Sequence, residues 1–205
     1  MSASVRKVAG LVAAVALLAV VMVGCGEGDN PTGGGGDGTV TIGGQSYRTV
    51  EIGGLTWMAE NLNRATSNSW CYDDDNSNCT KYGRLYTWEA AKTACPSGWR
   101  LPTGADWNSL VEVAGGSSGA GSKLKSTSGW YNNDNGTDDF GFSALPGGGR
   151  GTGGTFYSAG YHGRWWSATE DGSGNAWLRD MGYNGDYVYE RNLALGYGFS
   201  VRCVR

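Results

Sequence analysis

Residues able to do chemistry are sparse in this chain. Its 205 residues include one histidine, His162, and five cysteines, Cys25, Cys71, Cys79, Cys95 and Cys203. A lone imidazole between Gly160 and Gly163 acts as a general base only where a substrate proton is brought to it, so His162 reads first as a polar rim group. The neighbouring carboxylates Asp138-Asp139 and Glu170-Asp171 are of the type that hydrolyses glycosides. That reaction needs two carboxyls about 5 to 9.5 Å apart, which adjacency in sequence does not provide. Between Cys71 and Cys79, Asp73-Asp74-Asp75-Asn76 gathers hard oxygen donors of the kind calcium takes, with Asp73 and Asp75 as candidate ligands. The spacing is not that of an EF-hand, and a solvated acidic turn is the expectation. Gly149-Arg150-Gly151-Thr152-Gly153-Gly154 spells G-x-G-x-x-G, but no helical pattern follows it, so it reads as a loop rather than a phosphate cradle. No metal and no cofactor are therefore expected, and no catalytic residue is assigned.

Cys25 carries a different kind of chemistry. Arg6 and Lys7 precede an uncharged apolar run from Val8 to Val23, and small Gly24 stands before the cysteine. This is the layout of a secretory leader, and the run is shorter than the about 20 residues a spanning helix needs. Met22-Val23-Gly24-Cys25 resembles the bacterial lipobox, whose cysteine is acylated and becomes the mature N-terminus, with Met22 in place of the usual leucine. The expected organisation is a lipoprotein signal peptide over 1–24, an acylated Cys25 with a glycine-rich tether over 25–38, and one domain over 39–205. The address is the cell envelope, lipid-anchored. Gly26 rather than aspartate after the cysteine points to the outer membrane of a diderm bacterium.

The four remaining cysteines are an even number in an exported chain, so two disulfides are expected, in one of three pairings. Cys71 and Cys79 flank a short polar loop suited to local closure, which leaves Cys95 for Cys203. A metal role for the four has neither a C-x-x-C pair nor a nearby histidine. With 16 basic and 19 acidic residues the formal charge is only −3, and there is no basic stripe, which argues against nucleic acid as a partner. Glycine, at 37 residues, demands a fold rich in turns.

The elements follow from periodicity. Thr39 to Asn61 alternates around Gly43-Gly44 and Gly53-Gly54, as two or three short strands would. Thr87 caps a helix over about Thr87 to Ala94, ended by Pro96. Thr103 and Asp106 form a capping-box pair for a second helix over about Gly104 to Ala114. Nothing after Gly115 repeats at helical spacing. The strands expected there are Arg164 to Thr169, a hairpin of Trp177 to Tyr183 with Asp186 to Arg191 about a type I′ turn at Asn184-Gly185, and Phe199 to Val204. Two helices followed by a mainly antiparallel sheet is an α+β plan.

Six blocks then stand in order: Gly54 to Leu62 (GLTWMAENL), Tyr82 to Trp88 (YGRLYTW), Cys95 to Thr103 (CPSGWRLPT), Phe142 to Gly147 (FSALPG), Trp165 to Glu170 (WWSATE) and Gly198 to Arg205 (GFSVRCVR). Together they resemble the Fibrobacter succinogenes major paralogous domain family over about Thr39 to Arg205. That family is similar to the formylglycine-generating-enzyme branch of the C-type lectin-like fold. The resemblance implies two helices on a twisted, loop-rich antiparallel sheet, adjacent termini, and a bridge from Cys95 to Cys203. Its members are usually exported or lipid-anchored and mostly lack an assigned activity. The related enzymes use a copper-binding cysteine pair or histidine-bound iron; here the cysteines are expected in bridges and one histidine stands alone. Neither a Glu-Pro-Asn nor a Gln-Pro-Asp triplet, the sugar motifs of calcium-dependent lectins, occurs.

The aromatic residues carry the functional expectation. Nine tryptophans and eleven tyrosines exceed what one core of this size needs. Trp57, Trp88, Trp99 and Trp107 are expected inside. Face alternation along Arg164 to Thr169 assigns Trp166 to the core and leaves Trp165 exposed beside Tyr157, Tyr161, Tyr187 and Tyr189, a surface on which sugar rings or a protein partner could stack. The expected function is a non-catalytic ligand-binding module, for a glycan or an envelope protein, held to the membrane by its N-terminal lipid. The rival classes are a structural or assembly component of an envelope complex and an enzyme of unidentified chemistry.

Overall fold

A computed structural model describes Met1 and residues 38–205 of the chain. The expected leader, the acylation site Cys25 and all of the tether but Gly38 lie outside the described residues. Strands β1 (Gly38–Ile42), β2 (Gln45–Ile52) and β3 (Leu55–Met58) form an antiparallel sheet in that order. Both connections are glycine pairs in the left-handed region, with φ of 58° and 84° at Gly43-Gly44 and 63° and 79° at Gly53-Gly54, as two-residue hairpin turns require. On β2 and β3 both faces are buried: Tyr47 and Met58 lie on one side, Val50, Ile52 and Trp57 on the other.

The two expected helices form where their caps place them. With β4 (Ser69–Trp70) paired to β5 (Leu85–Tyr86), the chain passes through Thr87, whose side chain accepts from Ala90 N, into the second α-helix among the described residues. That helix, Trp88–Ala94 (α2), ends as Cys95 adopts the extended conformation that Pro96 imposes. Helix α3 (Gly104–Val113) opens on the complete Thr103–Asp106 capping box, and Arg100 braces the Asp106 carboxylate with two hydrogen bonds. Two further short helices were not expected. Helix α1 (Asn76–Tyr82, sequence NSNCTKY) lacks an apolar period; the Cys71–Cys79 bridge and the Asp75 side chain, accepting from Ser77 N, hold it. Helix α4 (Ala120–Leu124) is five residues long and is fixed by Gly121 N donating to Asp186 O, a contact with no local signature.

The second half contains β6 (Gly147–Arg150) paired with β7 (Phe156–Ala159), and the sheet β10-β9-β8 built from β8 (His162–Glu170), β9 (Asn175–Gly182) and β10 (Val188–Ala194). The G-x-G-x-x-G string ends β6 and turns into β7, a hairpin rather than a nucleotide loop. The hairpin about Asn184-Gly185 differs from expectation. Val188 pairs with Met181, so residues 183–187 form an open connection in place of a two-residue turn. The reason is Lys125. Its buried ammonium donates to Tyr183 O, Gly185 O and Asp134 O at 3.0 to 3.2 Å and lies over Trp130, turning the Tyr183 and Gly185 carbonyls of the loop onto itself. Burial lowers the Lys125 pKa, against the opposing pull of the Asp186 and Asp134 charges.

The final segment makes no continuous ladder. It bridges in turn Arg150 to Gly198, Tyr86 to Phe199, Trp165 to Ser200, and both Trp57 and Arg100 to Val204. The result is α+β, with short helices on several small antiparallel sheets rather than one broad sheet. The bridges are Cys71–Cys79 and Cys95–Cys203. No helix among the described residues is long and apolar enough to cross a membrane.

Two apolar clusters lie on either side of β8. Trp57, Trp107, Phe142 and Trp165 belong to one, and Tyr86, Trp88, Trp166 and Phe199 to the other. This corrects the expected exposure of Trp165. Face alternation does separate the two tryptophans, but both faces of β8 are core, and Trp165 and Trp166 are each 0% exposed. Trp99, expected inside, is half-buried with the Arg205 guanidinium 5.0 Å from its ring. Each wholly buried indole finds an acceptor: Trp165 Nε1 meets Asn61 Oδ1 and Trp166 Nε1 meets Tyr86 O, both at 2.8 Å.

Two predictions follow from this packing. Trp165→Ala and Trp166→Ala should each destabilise the domain by roughly 3 to 5 kcal/mol in denaturant titration, and a near-neutral Trp165→Ala would refute the two-sided burial of β8. Removing Cys95–Cys203, which spans 108 residues, should cost about 4 to 5 kcal/mol, against about 2.5 kcal/mol for Cys71–Cys79, which spans 8. Equal losses in the two double-serine variants would contradict the loop-closure account.

Candidate functional site

The β10-β9-β8 sheet changes character along one face. Residues opposite one another in the register share a side, so Arg164, Asp180 and Tyr189 stand together, as do Trp166, Leu178 and Arg191 one step on. Trp166, Leu178 and Ala176 cover the apolar end, buried under α2 and the final segment. Toward the end where β8 begins and β9 finishes, the same face becomes polar. There His162, Arg164, Asp180 and Arg191, with Gly151, Thr155, Tyr157, Leu193 and Tyr197, line an open cleft of about 510 Å³.

Asp180 is the pivot of this cleft. Its side chain is 2% exposed, and both oxygens are taken: Oδ1 by His162 Nδ1 at 2.8 Å with Arg164 Nε at 3.5 Å, Oδ2 by Arg191 Nε at 2.8 Å. Burial pushes the Asp180 carboxyl up, but the His162 hydrogen bond and the Arg164 and Arg191 guanidinium groups outweigh it and hold its pKa below the ordinary value. Arg164 also lies 5.3 Å from the Tyr157 ring, and burial raises the Tyr157 phenol pKa, so that phenol remains protonated. Three basic side chains thus surround one carboxylate, and the lining has an excess of positive charge.

Beside the cleft, Tyr187 and Tyr189 stack at 5.4 Å with their planes 14° apart, and are 50% and 45% exposed. They line a smaller hollow of about 250 Å³ with Gly182, Asn184 and Gly185. Arg191, 5.0 Å from the Tyr189 ring, joins hollow to cleft. Of the five aromatic residues expected to share a ligand surface, Tyr187, Tyr189 and Tyr157 fall on this strip. Trp165 does not, being in the core. Tyr161 is exposed but stacks on Tyr131 at 4.3 Å, with Tyr183 edge-on to both, at a separate place.

The acidic candidates are structural. Asp75 caps α1, and Asp73 is exposed with a left-handed φ of 54°. Among the described residues, no three His, Cys, Asp or Glu side chains converge as a metal-binding set. Asp138 braces Ser143, and Asp171 holds Ser173, Asn175 and Asn192, which keeps its pKa low. His162, read from sequence as a loop rim group, instead begins β8 and orients on Asp180. Arg164, Asp180 and Arg191 were missed altogether. Each sits in a strand, and only the β8–β9–β10 register, which the sequence does not disclose, brings them together.

A family model described as Fibrobacter succinogenes major domain matches residues 50–205. That stretch contains all of the cleft and the tyrosine pair. No curated protein and no solved structure matches the chain.

Because the folded-state pKa of Asp180 is lowered, its contribution to stability is complete above the unfolded value of about 3.9 and is lost as pH falls through the folded value. Asp180→Asn should therefore destabilise the domain at pH 7 by roughly 1 to 3 kcal/mol, and the difference from the native chain should shrink below about pH 4. A difference that does not change between pH 7 and pH 2.5 would contradict a charged Asp180 at the centre of the network.

Proposed function

The chain belongs to the Fibrobacter succinogenes major domain family, and on that premise we propose a lipid-anchored cell-envelope protein whose domain is a non-catalytic module that binds glycan. The observation that carries this reading is the exposed, parallel pair Tyr187 and Tyr189 opening onto the Asp180 cleft. Tyrosine rings present flat apolar faces to the C–H faces of sugar rings while their hydroxyls stay solvated. The cleft has the size of a small-ligand site and mixes aromatic walls with a few convergent polar groups. Its carboxylate is engaged by His162, Arg164 and Arg191, an arrangement suited to holding side chains in place rather than to exchanging protons.

The finer fold reading belongs to the same proposal: a C-type lectin-like domain of the formylglycine-generating-enzyme branch. Helices α2 and α3 both dock on β8 through indole N–H groups, Trp88 to Ser167 O and Trp107 to Trp166 O. The bridge from Cys95 to Cys203 and the pairing of Thr56 with Arg205 join early and late segments as that fold does. Cys25 is the proposed acylated residue, in the outer membrane of a diderm envelope.

Tyr187→Ala and Tyr189→Ala, 50% and 45% exposed in the native chain, should leave the melting temperature nearly unchanged and weaken binding to an immobilised glycan set by about tenfold, the equivalent of about 1.4 kcal/mol. If the native chain binds no glycan yet co-purifies with an envelope complex, the assembly reading replaces this one. Cys25→Ser should move the protein from the membrane to the soluble fraction; intact-mass data showing an unmodified mature terminus beyond Cys25 would refute the anchor.

A further inference from the structure

The cleft's charge balance narrows the ligand. We propose that it takes an oxyanion substituent carried on a saccharide, so that the glycan bound at this surface is an acidic one; this rests on the glycan reading above. Both Asp180 oxygens are already occupied, and they use one Nε each from Arg164 and Arg191. The planar guanidinium carries five N–H donors, so most of the donor capacity of both arginines remains for something else. Arg164, only 12% exposed at its side chain, has a buried Nη1 with no hydrogen-bond partner among the described residues. That atom faces the interior and is out of a ligand's reach; it is half-exposed Arg191, with only its Nε committed to Asp180, that offers free N–H groups to the cleft, where an oxyanion forms charge-assisted hydrogen bonds. Asp180 does not compete for that ligand, because its charge is already neutralised by its neighbours.

The surroundings specify a sugar as carrier. Tyr157, Tyr197 and Leu193 give the cleft ring-sized apolar walls, and Arg191 leads directly to the stacked Tyr187 and Tyr189. One residue of an oligosaccharide can present its charged group to Arg191 while the next lies on the tyrosine pair. A simple anion would use the arginine and leave the aromatic strip idle.

The test measures binding of the full-length chain in detergent to four probes: oligogalacturonate, the same oligosaccharide with its carboxyl groups reduced to alcohols, a sulfated neutral oligosaccharide, and oligoglutamate of equal charge. Oligogalacturonate, the sulfated probe, or both should bind at least tenfold tighter than the reduced form. The two acidic arms distinguish carboxylate from sulfate as the source of the oxyanion. The advantage should disappear at high salt and in Arg191→Gln, at a half-exposed position, with Arg164→Gln as the second variant should the first unfold. Equal binding of the acidic and reduced forms overturns the inference and leaves the glycan reading intact. Binding of no saccharide overturns both. Oligoglutamate binding as tightly as the acidic saccharides overturns the inference in favour of an acidic protein partner, as does an acidic preference that survives both substitutions.

Discussion

The Arg202 side chain organises the interior. Fully buried, its guanidinium donates to Asn61 Oδ1, to the carbonyls of Met58 and Phe142, and to Ser143 O, and its Cζ lies 4.5 Å from the Phe142 ring centre. Taking such a charge out of water costs several kcal/mol, and only near-complete hydrogen bonding offsets that. Burial lowers the Arg202 pKa to about 9, against the Glu60 and Asp138 charges that raise it, so the group is still cationic at neutral pH. Its acceptors come from Met58 at the end of β3, from Asn61 three residues on, and from the 142–143 loop. The arginine therefore ties the last segment and the end of β3 to the 142–143 loop.

Asn61 extends that constraint to the site. Its Oδ1 also accepts from Trp165 Nε1, and its Nδ2 donates to Tyr82 O. The position of β8 is thus set from one side by the Asn61–Arg202 pair and from the other by Trp166 reaching Tyr86 O. Cys203 follows Arg202 directly and is tied to Cys95, so the covalent and the polar constraints act on adjacent residues. Since β8 carries His162 and Arg164 at its outer end, a network in the core determines where the cleft's basic groups stand. Preorganised polar groups bind with less ordering cost than ones gathered by the ligand.

What was legible in the sequence was what local physics decides. The glycine-pair hairpins, the Thr87 cap, the Thr103–Asp106 box and both bridges are properties of a few neighbouring residues or of parity among cysteines, and each forms as read. The failures are long-range. Alternation sorted Trp165 from Trp166 correctly, but pattern alone cannot say that a strand has core on both sides. Asn184-Gly185 has the composition of a tight turn and is overruled by an ammonium group 60 residues away, which binds the loop carbonyls. The candidate site was half legible: tyrosine surplus pointed to the strip, while Asp180 and its arginines, scattered over β8, β9 and β10, become one group only through register.

The site's location follows from how one sheet face is divided. Along β8 and β9 the apolar half, Trp166, Leu178 and Ala176, is sealed by α2 and the last segment, whereas the opposite half borders the open cleft, whose other wall includes Gly151, Thr155 and Tyr157. A face left open there must be made compatible with water, and the chain does so with charge rather than with small polar residues. Asp180, nearly inaccessible, sits at the boundary between the two halves and needs cations to remain ionised; Arg164 and Arg191 supply them from the strands on either side, and His162 adds a hydrogen bond from the start of β8. One carboxylate is enough to anchor three basic groups but not to neutralise them. The same interaction that lets the polar half of the face border the core therefore leaves a surplus of oriented cationic donors at its edge. Tyr187, at the end of the 183–187 connection, and Tyr189, on β10, give that surplus an aromatic platform.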